Sequence, residues 1–101
     1  MMNKHEIFTK AKEKYFKKLK QFIPIVDRVH GANHPEFHKV QEVFNIILKK
    51  TDELDDGKPN LDDEFNKLRE ITDNFKIPGD VCESYEAVYN MLAKVDEAYR
   101  N

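Results

Sequence analysis

The fold is decided by a stretch near the end of the chain, which reads VCESYEAVYNMLAKVDEAY over residues 81–99. Its large apolar side chains recur at alternating steps of three and four: Val81, Tyr85, Val88, Leu92, Val95 and Tyr99. That spacing places them on one face of an α-helix, because a helix completes a turn in about 3.6 residues. Asp80, followed by Glu83 three residues later, resembles a capping box. We therefore predict a helix over about residues 80–100.

Three further amphipathic segments precede this one, over about residues 3–29, 35–53 and 61–75. We predict Asn3 as the N-cap of the first segment, and Asn60 or Asp62 as the N-cap of the third. The predicted inward stripe of the first segment consists of Phe8, Ala11, Tyr15, Leu19, Phe22, Val26 and Val29. Pro24 lies inside it, and we expect this residue to bend or split the helix because proline removes a backbone donor. We expect Gly31 to end the first helix in the left-handed conformation that glycine adopts readily.

Four helices joined by short links most simply pack antiparallel, in up-down-up-down order. The chain has 101 residues, which suits one domain spanning 1–101 with one modest core. No strand-like alternation and no internal repeat is visible. The sequence thus predicts an all-α, antiparallel four-helix bundle, whose longest connection is the polar stretch around residues 55–59.

Charge is distributed unevenly along the chain. Residues 1–50 carry 11 Lys/Arg against 5 Asp/Glu, whereas residues 51–101 carry 6 against 14. In an antiparallel bundle the two halves attract each other, and we prefer this interpretation of the basic residues to a nucleic-acid surface. Exposed aromatics interleaved with the lysines, or a recognisable nucleic-acid module, would be needed for the latter. No nucleic-acid partner is therefore expected.

The expected location is the cytoplasm, without a membrane partner. No stretch approaches the roughly 20 apolar residues of a membrane-spanning helix, and the Lys-rich start lacks the apolar run of a secretion signal. Cys82 is the one cysteine, so no intramolecular disulfide can form. Because free cysteines prefer burial and Cys82 adjoins the apolar stripe, we expect a packed, inert thiol.

Three of the four histidines lie within nine residues around one predicted corner of the bundle. His34 and His38 are one helical turn apart, a spacing that can place two imidazoles on one metal ion. Together with His30, they form the candidate metal site, to which Glu36 or Glu42 could add a carboxylate. The alternative is structural, since such histidine pairs are common on helix surfaces. No constellation typical of catalysis is present, so we expect a non-enzymatic protein.

Two separated segments resemble the hemerythrin-like domain of iron-sulfur cluster repair di-iron proteins. The first is VDRVHGANHPEF, residues 26–37, and the second is LREITDNFKIPGDVC, residues 68–82. Residues 85–89, followed by Leu92, continue the similarity, which spans about residues 22–99. The resemblance implies a four-helix bundle that holds two irons with His and Glu side chains from all four helices.

Most of the ligands that the resemblance implies are missing from this sequence. His30 matches the histidine of the family's Val-His-Gly motif. The positions that should supply further ligands, around residues 54–58 and 58–61, contain no histidine, and the nearest to the family's first-helix histidine is His5. The sequence also lacks the family's N-terminal cysteine domain and its terminal histidine-rich segment. Because iron needs several protein ligands, a di-iron centre within one subunit is not expected.

The resemblance and the missing ligands together predict a hemerythrin-like accessory protein of iron or iron-sulfur cluster homeostasis. Such a protein would act by binding a protein partner or by forming a homodimer, and would need no resident cofactor. The alternative is a weak metal-binding or iron-sensing domain that uses His30, His34 and His38, either within one copy or pooled between two. A third possibility is docking onto an acidic surface through the lysines of the first helix.

Overall fold

The structure is a computed structural model that describes residues 4–53 and 59–100. It contains four α-helices: α1 over Lys4–His30, α2 over Glu36–Glu53, α3 over Asp62–Thr72 and α4 over Glu83–Arg100. No strand is present among these residues. Helix α1 packs against α2 and α4, and α2 packs against α3. The predicted all-α four-helix bundle is confirmed, while the predicted cap at Asn3 and the connection at 55–58 lie outside the described residues.

One core cluster occupies the centre of the bundle, and every helix contributes to it. On α4 the predicted stripe is buried from Tyr85 to Tyr99, and Val81 is half-buried. Phe37 of α2 stacks parallel to Tyr89, and Phe65 of α3 lies against Tyr99. Each large apolar side chain buried in this way contributes about 1.5–3 kcal/mol to the hydrophobic stabilisation of the fold.

Helix α1 differs from the prediction in two ways. It runs without interruption through Pro24, so the predicted split does not occur. Its buried residues are Phe8, Phe16, Leu19, Ile23 and Val26. Val29, predicted to face the core, is 62% exposed, and Tyr15 and Phe22 are only half-buried. The predicted stripe had merged two neighbouring stripes of α1, of which one faces the core and the other lies along its flank.

Helix α3 ends at Thr72, three residues before the predicted end. Asp73, Asn74 and Phe75 all adopt positive φ angles, of 53°, 59° and 62°, which a right-handed helix cannot contain. Thr72 holds this turn, because its Oγ1 accepts a hydrogen bond from the Phe75 amide at 2.8 Å. The Asn74 amide donates to the carbonyl of Arg69 at 2.8 Å, which completes the end of the helix.

Side-chain contacts fasten α3 to α4. Arg69 Nη1 donates to Asp96 Oδ1 at 2.6 Å, and the Asp96 side chain is 2% exposed. At the other end of α3, the Tyr99 hydroxyl donates to Asp62 Oδ1 at 2.7 Å and accepts from the Leu61 amide at 2.8 Å. Of the two predicted caps of α3, Asn60 accepts a hydrogen bond from the Asp62 amide through its Oδ1 at 3.3 Å, although Leu61 occupies the cap position itself. The start of α3 is thus anchored by a tyrosine from another helix.

The predicted attraction between the two halves of the chain has a limited counterpart in the ion pairs. Lys50 of α2 contacts Glu64 of α3 at 3.0 Å, and His34 contacts Asp80 at 3.2 Å. No α1 lysine from Lys10 to Lys20 forms an ion pair with the residues that the structure describes. The long basic face of α1 is therefore left facing solvent. Within the two described ranges, no helix is sufficiently long and apolar to cross a membrane.

Candidate functional site

The histidine corner is formed where α1 ends, α2 begins and the chain approaches α4. His30 is the last residue of α1, and His34 lies in the turn before α2. Their ring centroids are 6.5 Å apart. Both rings pack edge-on against the buried ring of Tyr85, at centroid distances of 5.6 and 5.4 Å. The structure therefore brings together two of the three predicted histidines around an aromatic residue of α4.

His30 is paired with a thiol. Its Nε2 lies 3.1 Å from Sγ of Cys82, the residue that directly precedes α4. The Cys82 residue is exposed, so the expectation of a packed thiol is wrong. The backbone carbonyl of Cys82 accepts the first helical hydrogen bond, from the Glu86 amide, which fixes the residue at the start of the helix. This cysteine-histidine contact joins residues 52 positions apart, so local sequence spacing could not reveal it.

His34 bridges two carboxylates. Its Nδ1 lies 3.0 Å from Glu36 Oε1, and its Nε2 lies 3.2 Å from both carboxylate oxygens of Asp80. Both nitrogens can donate only when the imidazole is protonated. Burial disfavours the charged form, but the hydrogen bonds and charges of Glu36 and Asp80 outweigh it and raise the pKa of His34 above its ordinary value. Asp80, predicted to cap α4, instead binds the turn before α2.

A chain of hydroxyl groups continues from this bridge into the core. The Tyr85 hydroxyl lies 3.5 Å from Glu36 Oε1 and 2.9 Å from the hydroxyl of Tyr89. Burial is the main cause that raises the pKa of both phenols above the ordinary value, so both keep their protons at physiological pH. Polar contacts therefore run from the surface at Asp80, through His34 and Glu36, to two tyrosines inside the bundle.

His38 does not join the other two histidines. Its Nδ1 lies 2.6 Å from Asp27 Oδ1 of α1, a distance typical of an ion pair when the ring is protonated. Gly31 makes this approach possible, because a Cβ at that position would lie 2.4 Å from the Asp27 carbonyl oxygen and 2.9 Å from His38 Cε1. Gly31 does not adopt the predicted left-handed conformation. Its role is to leave space at the corner.

These contacts bear directly on the predicted metal site. Across the part of the chain that the structure describes, no group of three or more His, Cys, Asp or Glu side chains is arranged to hold a metal ion. His30, His34 and His38 each face a different partner, and Glu42 is exposed on α2. The described residues thus do not fit an iron centre within one subunit, and a metal site shared between two copies stays a prediction.

A second candidate site is a groove between α1 and α4. It has a volume of about 380 Å³ and is lined by Lys14, Tyr15, Lys18, Phe22, Ala87, Asn90 and Met91. On α1, three of these residues belong to a regular stripe at steps of three and four: Ala11, Tyr15, Lys18, Phe22, Ile25 and Val29. Ile25 and Val29 are 45% and 62% exposed. This flank stripe is the second apolar stripe of α1, and within one chain it is only partly covered.

The fold and the two sites define a small four-helix bundle with a polar histidine corner and an incompletely covered helix flank. Comparison of the chain with protein-family models, with curated proteins and with solved structures finds no match. The resemblance to hemerythrin-like domains therefore stays a prediction.

Proposed function

We propose that this chain is a non-enzymatic interaction protein that binds an amphipathic helix of a protein partner along the flank stripe of α1. The observation that carries the proposal is the spacing of this stripe beside a preformed groove. From Tyr15 to Val29 the stripe spans 15 residues, and the 14 steps between them correspond to about 21 Å of helix or nearly four turns. A partner helix of similar length could insert its apolar side chains between α1 and α4, as helices do in recognition grooves.

The composition of the groove favours an adaptable apolar contact. Tyr15 and Phe22 each offer part of an aromatic ring, and Met91 supplies a flexible side chain that adjusts to the shape of a partner. The ammonium group of Lys14 lies 5.3 Å from the ring centroid of Tyr15, so the cation already adjoins the apolar surface. Interfaces commonly combine an aromatic centre with a charged rim of this kind.

The charge of the groove indicates the chemistry of the partner. Lys14 and Lys18 line the groove, and the neighbouring solvent face of α1 adds Lys10 and Lys17. Since none of these lysines forms an ion pair with the described residues, their charges are free to attract an acidic partner. We therefore expect an amphipathic helix whose polar face is rich in Asp and Glu.

The cellular process to which this partner belongs is inferred from the resemblance to hemerythrin-like domains. The segments at residues 26–37 and 68–82 are similar to hemerythrin-like domains of iron-sulfur cluster repair proteins, whereas the ligands of a di-iron centre are mostly missing. A bundle that keeps the scaffold but not the metal chemistry is suited to an accessory role. We propose that the partner belongs to iron or iron-sulfur cluster homeostasis.

The test compares two substitutions of equally exposed isoleucines. Ile25→Glu places a charge in the flank stripe, and Ile46→Glu places one on α2, where the wild-type residue is 41% exposed. The wild-type chain and each variant are used to capture proteins from the source cells, and the captured proteins are identified. Each candidate is then purified and titrated by calorimetry with the wild-type chain and with both variants. We expect Ile25→Glu to weaken binding at least tenfold, as a central interface residue would, and Ile46→Glu to leave it unchanged.

Salt dependence and oligomeric state complete the test. Each titration is run once at 50 mM and once at 300 mM NaCl. Binding that depends on the lysines should be much weaker at the higher salt concentration. Equal binding by both variants would contradict the flank stripe as the binding surface. Self-association that is lost in Ile25→Glu, without any other partner, would identify a second copy as the occupant and refute an acidic partner protein.

A further inference from the structure

A separate cleft opens on the other side of the bundle, beside the connection between α3 and α4. Its volume is about 430 Å³, within the range of small-molecule sites in proteins. Glu36 from the start of α2 and the buried Tyr89 of α4 supply polar atoms to it. Ile71, Ile77 and Pro78 supply apolar surface. The cleft therefore combines an apolar wall with a small number of polar groups contributed by different elements.

The hydrogen bonds determine which kind of polar group a ligand must offer. The hydroxyls of Tyr85 and Tyr89 lie 2.9 Å apart, and either of them can be the donor of the hydrogen bond between them. A phenol oxygen has two lone pairs, so in either arrangement the Tyr89 oxygen can accept at least one further hydrogen bond. Glu36 uses Oε1 for His34 and Tyr85, and no described residue contacts its Oε2. Both groups can thus accept further hydrogen bonds.

The hydroxyl of Thr72 is already used by hydrogen bonds within the chain. Thr72 also lines the cleft, but its hydroxyl donates to the carbonyl of Leu68 at 2.7 Å and accepts from the Phe75 amide. Lys76 and Asp73, which are both exposed, add one charge of each sign to the lining. The inner part of the cleft is accordingly an arrangement of acceptors that includes a carboxylate.

We propose that this cleft is a binding site for a small organic cation that carries a primary ammonium group on a short alkyl chain. The ammonium group has three donors and no acceptor, which matches Glu36 and Tyr89. A hydrogen bond between an ion and its counter-charge is roughly twice as strong as a neutral one, so the pair supplies both affinity and selectivity. The alkyl chain would lie against Ile71, Ile77 and Pro78.

The probe for this site is n-butylammonium, and the readout is a titration of the ¹⁵N-labelled full chain followed by amide chemical shifts. The expected result is saturable shifts confined to residues 71–79 and to those around Glu36 and Tyr89. Glu36→Gln should weaken binding roughly tenfold or more, because it removes a charged acceptor. Tyr89→Phe should weaken it several-fold, while Glu42→Gln, a remote exposed carboxylate of the same helix, should leave it unchanged.

Two comparison compounds, one uncharged and one anionic, distinguish ammonium recognition from burial of a hydrocarbon. n-Butanol has the same chain and butyrate carries the opposite charge, so both should bind at least tenfold more weakly than butylammonium. Equal shifts with n-butanol, or unchanged affinity in Glu36→Gln and Tyr89→Phe, would overturn the proposal. Should Glu36→Gln fail to fold, Tyr89→Phe and the n-butanol comparison decide the matter. This outcome is independent of partner binding in the groove, which lies on α1.

Discussion

Replacement of Arg69 by methionine measures how much the ion pair between α3 and α4 contributes to the stability of the fold. The guanidinium of Arg69 contacts Asp96 at 2.6 Å, and the Asp96 side chain is 2% exposed, whereas Arg69 is 25% exposed. Removing one partner of a buried ion pair typically costs about 3–5 kcal/mol, because the other charge stays desolvated. Here Arg100 Nε remains 3.5 Å from the same carboxylate oxygen, with its own side chain 60% exposed. We therefore expect Arg69→Met to lower the free energy of unfolding by about 2–3 kcal/mol.

The assay is equilibrium unfolding in urea, followed by far-ultraviolet circular dichroism at pH 7. With the urea dependence usual for a domain of this size, about 1–3 kcal/mol per molar, the midpoint should fall by about 1–2 M. Lys67→Met on the exposed side of α3 is the matched control, and should change stability by less than about 0.5 kcal/mol.

A double-mutant cycle shows whether the loss comes from the ion pair. In an Asp96→Asn background there is no buried charge to leave unpaired, so Arg69→Met should cost less than about 1 kcal/mol. The reasoning is refuted if Arg69→Met costs the same in both backgrounds, or if its cost in the wild-type chain is below about 0.5 kcal/mol.

Two further predictions concern the histidines. Since Glu36 and Asp80 raise the pKa of His34, the protonated ring stabilises the fold fully below its unfolded pKa of about 6.5, and the contribution is lost as pH rises through the folded value. The stability difference between the wild type and His34→Gln, measured in urea, should therefore shrink from pH 6 to pH 8.5; a constant difference would show that charge is not involved. For the predicted metal site, anaerobic calorimetry with ferrous iron should show binding that is weak and lost in His34→Ala/His38→Ala, and sedimentation should show that binding accompanies dimerisation. Tight binding by a monomer would contradict the prediction of a shared site.

The helical architecture could be predicted because it depends on local periodicity. The spacing of apolar residues predicts the buried stripe of α4 almost completely, since one face of that helix carries all of its large apolar residues. On α1 two stripes lie side by side, and periodicity alone could not decide which faces the core. The predicted stripe consequently includes Val29 among the core residues, whereas Val29 is among the most exposed apolar residues described. The chain also continues through Pro24 as a helix, so the expected cost of proline was outweighed by the packing of α1.

The chemistry of the histidine corner depended on contacts between distant parts of the chain. The sequence indicated that His30 and His34 would lie at one corner, and they do. Their partners Cys82 and Asp80 come from a segment about 50 positions away, so no local spacing could assign them. The end of α3 differs from the prediction for a local reason, because Thr72 stabilises three left-handed residues through a hydrogen bond to the Phe75 amide that helix propensity does not describe.

Because of the left-handed turn after α3, the free energy of local opening differs between this segment and the helices. The left-handed conformation costs roughly 1–2 kcal/mol for a residue such as Phe75 and less for Asp73 and Asn74, whose short polar side chains tolerate it, and the three together concentrate strain in one short segment. Because the strain is released when the segment detaches, this part of the chain needs less free energy to open than the helices on either side. Asp73, the first of the three, lines the cleft that Tyr89 also lines, so slow exchange of a small molecule with the interior would require only a local fluctuation, with the four helices still assembled.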